Sequence, residues 1–277
     1  MIRVNKIDVY PGRFPDHSLL LKISEELWSA CDDIHYITIE WLYENDAELF
    51  TLICIKRYCD EHFSNKPVYL DLPYIPNARQ DRVKTDTDVF TLKYFCEVIN
   101  NLHFRNILVR DAHSNVSLAL LNSVCAEELE GYIEDAIATS GAEALFFPDE
   151  GAMKRYSNSS PLPYAFGMKK RDWATGEILG LDLINKEAIV GKEVLIVDDI
   201  CSRGGTFYHA AKALKAAGAK SVSLYVTHCE ETITLGELAA SDGLVDHVYT
   251  TKSILPERLF WNSADPYWKE WITVLED

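Results

Sequence analysis

No two cysteines of this 277-residue chain form a C-x-x-C pair, and the total of seven is odd (positions 31, 54, 59, 96, 125, 201 and 229). A disulfide framework and a zinc ribbon are therefore not expected, and buried reduced thiols in a cytoplasmic protein are. No apolar run approaches the roughly 18 residues of a membrane helix. The start, Met1 to Asp8, holds no unbroken apolar stretch, so neither a signal peptide nor a membrane partner is expected. Basic residues are few: 27 Lys and Arg stand against 43 Asp and Glu, a formal charge of −16. That balance argues against nucleic acid as a partner, since non-specific binding needs a basic surface. It does not exclude phosphate ligands, and it makes each local basic cluster informative. G-x-x-x-x-G-K-[ST], G-x-G-x-x-G and H-E-x-x-H are all absent, which removes support for a Walker ATPase, a dinucleotide fingerprint and a zincin.

What is present is globular composition, 48% hydrophobic and 25% charged, at a length that suits two compact domains. Short apolar runs alternate with amphipathic stretches. Strands are expected at 66–72, 106–110, 144–147, 193–197 and 221–226, and helices at 88–102 and 206–217, the second stopped by Gly218. Alternation of this kind predicts an α/β fold with mostly parallel central sheets flanked by helices. Three strands run into acidic residues, Asp111, Asp149 and Asp198-Asp199, where such sheets place their ligands. The pattern recurs in both halves, giving expected domains at 1–130 and 131–277.

The most specific string is Val194-Leu195-Ile196-Val197-Asp198-Asp199-Ile200-Cys201-Ser202-Arg203-Gly204-Gly205-Thr206. An apolar strand runs into two carboxylates and then a Gly-Gly-Thr turn that opens a helix. The turn offers backbone N–H groups and the Thr206 hydroxyl to a phosphate. Asp198 and Asp199 suit ribose hydroxyls or Mg²⁺. Together they describe a ribose phosphate. The bland alternative is a strand–turn–helix with capping acids.

This string resembles the phosphoribosyl-binding motif of type I phosphoribosyltransferases and of ribose-phosphate pyrophosphokinases. Other segments favour the second family. Leu72-Pro73-Tyr74-Ile75-Pro76-Asn77-Ala78-Arg79-Gln80-Asp81-Arg82 resembles I-P-Y-x-x-x-A-R-Q-D-R. Asp111-Ala112-His113-Ser114 resembles D-L-H-A, and Phe147-Pro148-Asp149-Glu150-Gly151-Ala152 resembles S-P-D-x-G-G. Lys169-Lys170-Arg171 resembles the K-R-R of a catalytic loop, here between Gly167 and Gly176, and Arg13-Phe14-Pro15-Asp16 resembles R-F-x-D. The order is the family's, over most of residues 13–230. The Trp-rich end (Trp261, Trp268, Trp271) has no counterpart, and the chain is expected to begin past the family's first strand.

The resemblance implies two phosphoribosyltransferase-type domains, the N-terminal one carrying the ATP-binding segments and the C-terminal one the ribose-phosphate loop. It implies transfer of the β,γ-diphosphate of MgATP to the anomeric hydroxyl of a 5-phosphoribosyl acceptor, with Mg²⁺ as cofactor and a homo-oligomer as the assembly. Arg79, Gln80, Asp81, Arg82 and Arg155 would bind ATP, with Phe14 and Asp16 reaching its adenine from a neighbouring subunit. His113 would meet the ATP phosphates or their metal, and Asp149 would be the metal-site acid. Lys169 and Arg171, with His113, would be catalytic. Asp198 and Asp199 would hold the ribose, and Ser202, Arg203, Gly204, Gly205 and Thr206 the 5′-phosphate.

Two departures bear on the substrate. The family's D-T-G-G-T is Ser202-Arg203-Gly204-Gly205-Thr206 here, a carboxylate lost and a guanidinium gained. His17-Ser18 replaces Gly-Glu after R-F-x-D. Ribose 5-phosphate ranks first as acceptor. ADP-ribose, used by divergent phage relatives in NAD⁺ salvage, is the alternative that Arg203 raises. A type I phosphoribosyltransferase would not need Arg79 to Arg82. A non-catalytic regulator would be expected to lose Lys169, Arg171 and His113.

Overall fold

The computed structural model describes residues 1–171, 178–241, 243–257, 259 and 266–275. Its chain divides into two compact units, Met1–Glu127 and Glu128–Asp277. Among the described residues no helix is long and apolar enough to cross a membrane.

The N-terminal unit is built on strands β1 (Ile2–Val4), β2 (Ile7–Val9), β5 (Ile37–Trp41), β6 (Val68–Asp71), β7 (Ile107–Val109) and β8 (Val124–Ala126), in the order β2-β1-β5-β6-β7-β8. The last four run parallel, and β1 is antiparallel to both neighbours. Helices α1 (Glu25–Asp32), α2 (Ala47–His62), α3 (Thr91–Asn100) and α4 (Asn115–Leu120) connect them. Period-two alternation explains the one-sided core. Ile37, Ile39, Trp41, Val68, Leu70, Ile107 and Val109 are buried with Leu52 and Ile55 of α2 and Leu92, Phe95 and Ile99 of α3. The alternate residues Thr38, Tyr69 and Leu108 are half-buried or exposed. A small hairpin, β3 (Gly12–Arg13) with β4 (Leu19–Leu20), stands apart. The stretch ahead of Arg13 carries two strands, β1 and β2, that the sequence pattern did not mark. Each is only three residues long, too short to register as an apolar run.

The C-terminal unit has seven strands in the order β11-β10-β9-β12-β13-β14-β15: β9 (Ala144–Phe147), β10 (Tyr164–Arg171), β11 (Ile178–Ile184), β12 (Glu193–Cys201), β13 (Ser221–Cys229), β14 (Val248–Thr251) and β15 (Ile272–Leu275). All neighbours are parallel except the β10–β11 hairpin. Helices α5 (Glu130–Ser140), α6 (Glu150–Tyr156), α7 (Gly205–Ala216), α8 (Glu237–Ala240) and α9 (Pro266–Trp271) complete it. The sheet is covered on both faces, and β12 shows how. Val194 and Ile196 pack with Phe207, Ala210 and Leu214 of α7, while Leu195 and Val197 pack with Tyr132, Ile133 and Ala136 of α5. A strand buried on both faces needs a continuous apolar run, which is what 194–197 supply. Trp271 closes the end of α9, donating from its indole nitrogen to the Val245 carbonyl at 3.0 Å and leaning on Trp268. Trp261 and Gly176 lie outside the described residues.

Two expectations need correction. Lys169-Lys170-Arg171 ends a β-strand rather than lying in a loop: Lys169 is in register with Leu181 and Arg171 with Ile178, past an irregularity at Lys170/Arg171. And β12 does not stop at Val197 but runs through both aspartates, because β13 extends alongside it as far as the Cys201–Cys229 register pair.

Cys31, Cys59, Cys96, Cys201 and Cys229 are buried, Cys54 is half-buried and Cys125 exposed. Burial pushes the Cys59 and Cys96 thiols up to about 12, which leaves them inert.

Candidate active site

Each unit gathers chemistry beyond the carboxyl ends of its strands. In the N-terminal unit, the loop after β6 carries Arg79, Gln80, Asp81 and Arg82, and the loop after β7 carries Asp111, Ala112, His113 and Ser114. Asp111 is 6% exposed with φ +42, a left-handed turn that aspartate tolerates better than most side chains. It redirects the chain into Ser114, the N-cap of α4. Arg79, Gln80 and Arg82 are exposed, and His113 is half-buried. The two loops meet: Ser114 Oγ donates to Asp81 Oδ2 at 2.7 Å. Gln80 Oε1 accepts from Thr91 Oγ1 at 2.7 Å, at the start of α3.

Phe14 and Asp16 lie in the turn of the β3–β4 hairpin. Phe14 is 49% exposed. Asp16 Oδ1 accepts from the Ser18 hydroxyl at 2.6 Å and from its N–H at 3.0 Å, and these bonds hold its carboxyl below the ordinary range. Asp16 therefore shapes the turn, and Ser18 is the partner that lets it.

In the C-terminal unit, Asp149 is the N-cap of α6, its Oδ1 accepting from Gly151 N at 3.0 Å and Ala152 N at 3.1 Å. Arg155, later on the same helix, reaches Asp199 Oδ2 at 3.3 Å through its NH1. The structure thus brings Arg155 to the acidic pair, whereas the sequence assigned it to ATP. Asp198 Oδ1 accepts from Asp199 N at 3.0 Å. Lys169 and Arg171 end β10, the strand after β9 and α6.

The turn after β12 is held from behind by a segment that sequence reasoning missed. Glu230 N donates to Cys201 O at 2.8 Å. Ser202 Oγ lies 3.1 Å from Thr232 Oγ1, which donates to Glu230 Oε2 at 3.1 Å. Gly204 takes φ +77, as the N-cap of α7, and a Cβ there would sit 2.8 Å from Leu238 Cβ. A Cβ on Gly236 would lie 1.8 Å from the Arg203 carbonyl oxygen. The backbone at 236 presses directly on the backbone at 203. Arg203, Gly205 and Thr206 are exposed, so the turn presents an open side as well as a braced one.

The chain as a whole is similar to known proteins. Residues 159–271 match the model of the phosphoribosyl transferase domain. A ribose-phosphate pyrophosphokinase of Saccharolobus solfataricus is 27% identical over 228 residues, covering 78% of this chain and 74% of its own length. One from Pyrococcus furiosus is 28% identical over 250 residues, covering 87% and 84%. The crystal structure of phosphoribosylpyrophosphate synthetase from Mycobacterium smegmatis matches with a TM-score of 0.67 at 19% identity, over 97% of this chain and 85% of that one, which shows a shared fold. The match reaches across both units, and the similarity of sequence extends well beyond the phosphoribosyl transferase domain to the N-terminal loops. Over most of its length the chain is similar to ribose-phosphate pyrophosphokinases, and within that stretch it carries a match to the phosphoribosyl transferase domain.

Proposed function

We propose that this chain is an enzyme that transfers the β,γ-diphosphate of MgATP to the anomeric hydroxyl of ribose 5-phosphate, giving phosphoribosyl pyrophosphate and AMP. The observation that carries the reading is the run of β12 through Asp198-Asp199 into the Gly204-Gly205-Thr206 turn, which opens the 12-residue helix α7. Carboxylates accept ribose hydroxyls, and backbone N–H groups at a helix start attract phosphate. The similarity to ribose-phosphate pyrophosphokinases supports the same reaction.

In the transfer, the anomeric oxygen attacks the β-phosphorus, the bond from that phosphorus to the α–β bridging oxygen breaks, and AMP leaves with that oxygen. The hydroxyl proton passes to solvent. No covalent enzyme intermediate is needed, so positioning and charge neutralisation supply the catalysis. Arg79, Gln80, Arg82 and His113 hold ATP, with Phe14 and Asp16 toward the adenine. Asp198 and Asp199 hold the ribose, Ser202 to Thr206 the 5′-phosphate, and Lys169 and Arg171 the transferring diphosphate.

Mg²⁺ arrives with ATP. Among the described residues no three His, Cys, Asp or Glu side chains form a metal cage. Mg²⁺ bound to a triphosphate requires only one or two protein carboxylates, and the donors here suit that mode. Asp149 would supply a carboxylate. Asp149→Asn keeps an equally good helix cap while losing the charge a hard cation prefers. A higher Mg²⁺ requirement at unchanged thermal stability is the expected result. Unchanged metal dependence removes Asp149 from the site.

A second acceptor, ADP-ribose, is favoured by one observation, the exposed Arg203 inside the phosphate turn. A guanidinium offers several donors and permanent charge, more than one monoester needs beside the turn's own N–H groups. If the acceptor carries a diphosphate, Arg203→Thr costs about 1.5–3 kcal/mol of its binding, the scale for hydrogen bonds to charged groups. Ribose 5-phosphate then changes much less. Mass spectrometry of products with MgATP and each acceptor reads the choice, and kcat/KM for both in wild type and variant reads the residue. A ratio that does not move on mutation shows that Arg203 faces solvent only.

A further inference from the structure

Asp81 is a carboxylate in a loop of donors, and a carboxylate repels phosphate. Both of its oxygens are already taken. Arg82 Nε donates to Oδ1 at 2.6 Å and Arg82 NH2 to Oδ2 at 2.9 Å, a two-pronged grip on the planar guanidinium. The third bond is the one from Ser114 Oγ, whose residue stands 33 positions along the chain beside His113. Ser114 is itself fixed: its Oγ accepts from Val116 N at 3.2 Å, and its carbonyl accepts from Ser117 Oγ.

The exposures separate the roles. The Asp81 side chain is 11% exposed and the Arg82 side chain 66%. The bonds from Arg82 first, and from Ser114 second, hold the Asp81 carboxyl well below the usual carboxylate range, so it is ionised at every ordinary assay pH. Gln80, next to it, has its carbonyl oxygen taken by Thr91, which turns the amide NH₂ to the other side. This part of the loop therefore shows Arg79, Gln80 and Arg82 outward and keeps Asp81 inward.

We propose that Asp81 and Ser114 are positioning residues and not nucleotide contacts: Asp81 aims the Arg82 guanidinium, and Ser114 locks that loop to the one carrying His113. The proposal rests on the reading of the N-terminal loops as the ATP site, and it corrects the expectation that Asp81 touches ATP. Donors held in place lose less freedom when a triphosphate arrives, which is where such a latch acts on affinity.

The test is Ser114→Gly beside Ser114→Thr. Glycine keeps the helix cap to within a few tenths of a kcal/mol of serine but removes the hydroxyl, whereas threonine retains both cap and hydroxyl. Calorimetric ATP binding and the KM for each substrate are measured. Ser114→Gly is expected to weaken ATP about tenfold, the scale of one hydrogen bond to a charged group. The KM for ribose 5-phosphate should stay the same, and Ser114→Thr should restore ATP affinity. Equal ATP affinity in Ser114→Gly and wild type overturns the proposal alone, as does a parallel loss of acceptor binding. A wild-type protein that binds no ATP removes the underlying reading and the proposal with it.

Discussion

Lys169→Ala and Arg171→Ala are each expected to lower kcat by about 10²–10³-fold, the usual loss when one donor to a developing charge is removed. The acceptor KM should move little. The reasoning starts from charge: in a chain at −16, three consecutive cations close one strand. A solvated run would be the plain explanation on a flexible loop. Here the run is held in register by β11, with Lys169 opposite Leu181 and Arg171 opposite Ile178. Pairing fixes the backbone of the run, and diphosphate transfer needs charge neutralised at a fixed place. A near-normal kcat in both variants would return the cluster to the status of a charged surface.

Gly236→Ala is expected to lower kcat/KM for the acceptor by about 10²-fold while ATP binding and the far-UV circular dichroism are retained. The methyl group would fall 1.8 Å from the Arg203 carbonyl oxygen. That oxygen belongs to backbone and cannot swing aside, so the turn between Ser202 and Gly204 must shift. A displacement on the order of 1 Å at a positioning element costs about 100-fold. Acceptor kinetics equal to wild type would mean that the turn yields freely and does not set the acceptor's position.

Local patterns in the sequence account for much of this. The apolar run 144–147 is β9 to the residue, and α7 lies within one residue of its expected ends because Gly204-Gly205 and Gly218 punctuate it. The carboxylates and the turn were readable for the same reason: they are contiguous. What escaped depends on partners far along the chain. The extension of β12 through Asp198-Asp199 comes from β13. The strand at Lys169–Arg171 comes from pairing with 178–184, and charge alone says nothing of backbone pairing. Asp81 looks like one more polar residue of a binding loop until Ser114 is placed beside it. Gly236 sits unremarked between Leu235 and Glu237, since its close neighbour is a carbonyl 33 residues earlier. Arg155 has no local feature that would send it to Asp199.

The reaction itself is decided by the nucleotide product. Purified protein is incubated with MgATP and ribose 5-phosphate, and adenine nucleotides are quantified by chromatography alongside the sugar product by mass spectrometry. AMP should form in a one-to-one ratio with phosphoribosyl pyrophosphate, with no ADP, because the diphosphate leaves ATP as a unit. ADP in stoichiometric amount, with a ribose bisphosphate as the sugar product, would contradict diphosphate transfer.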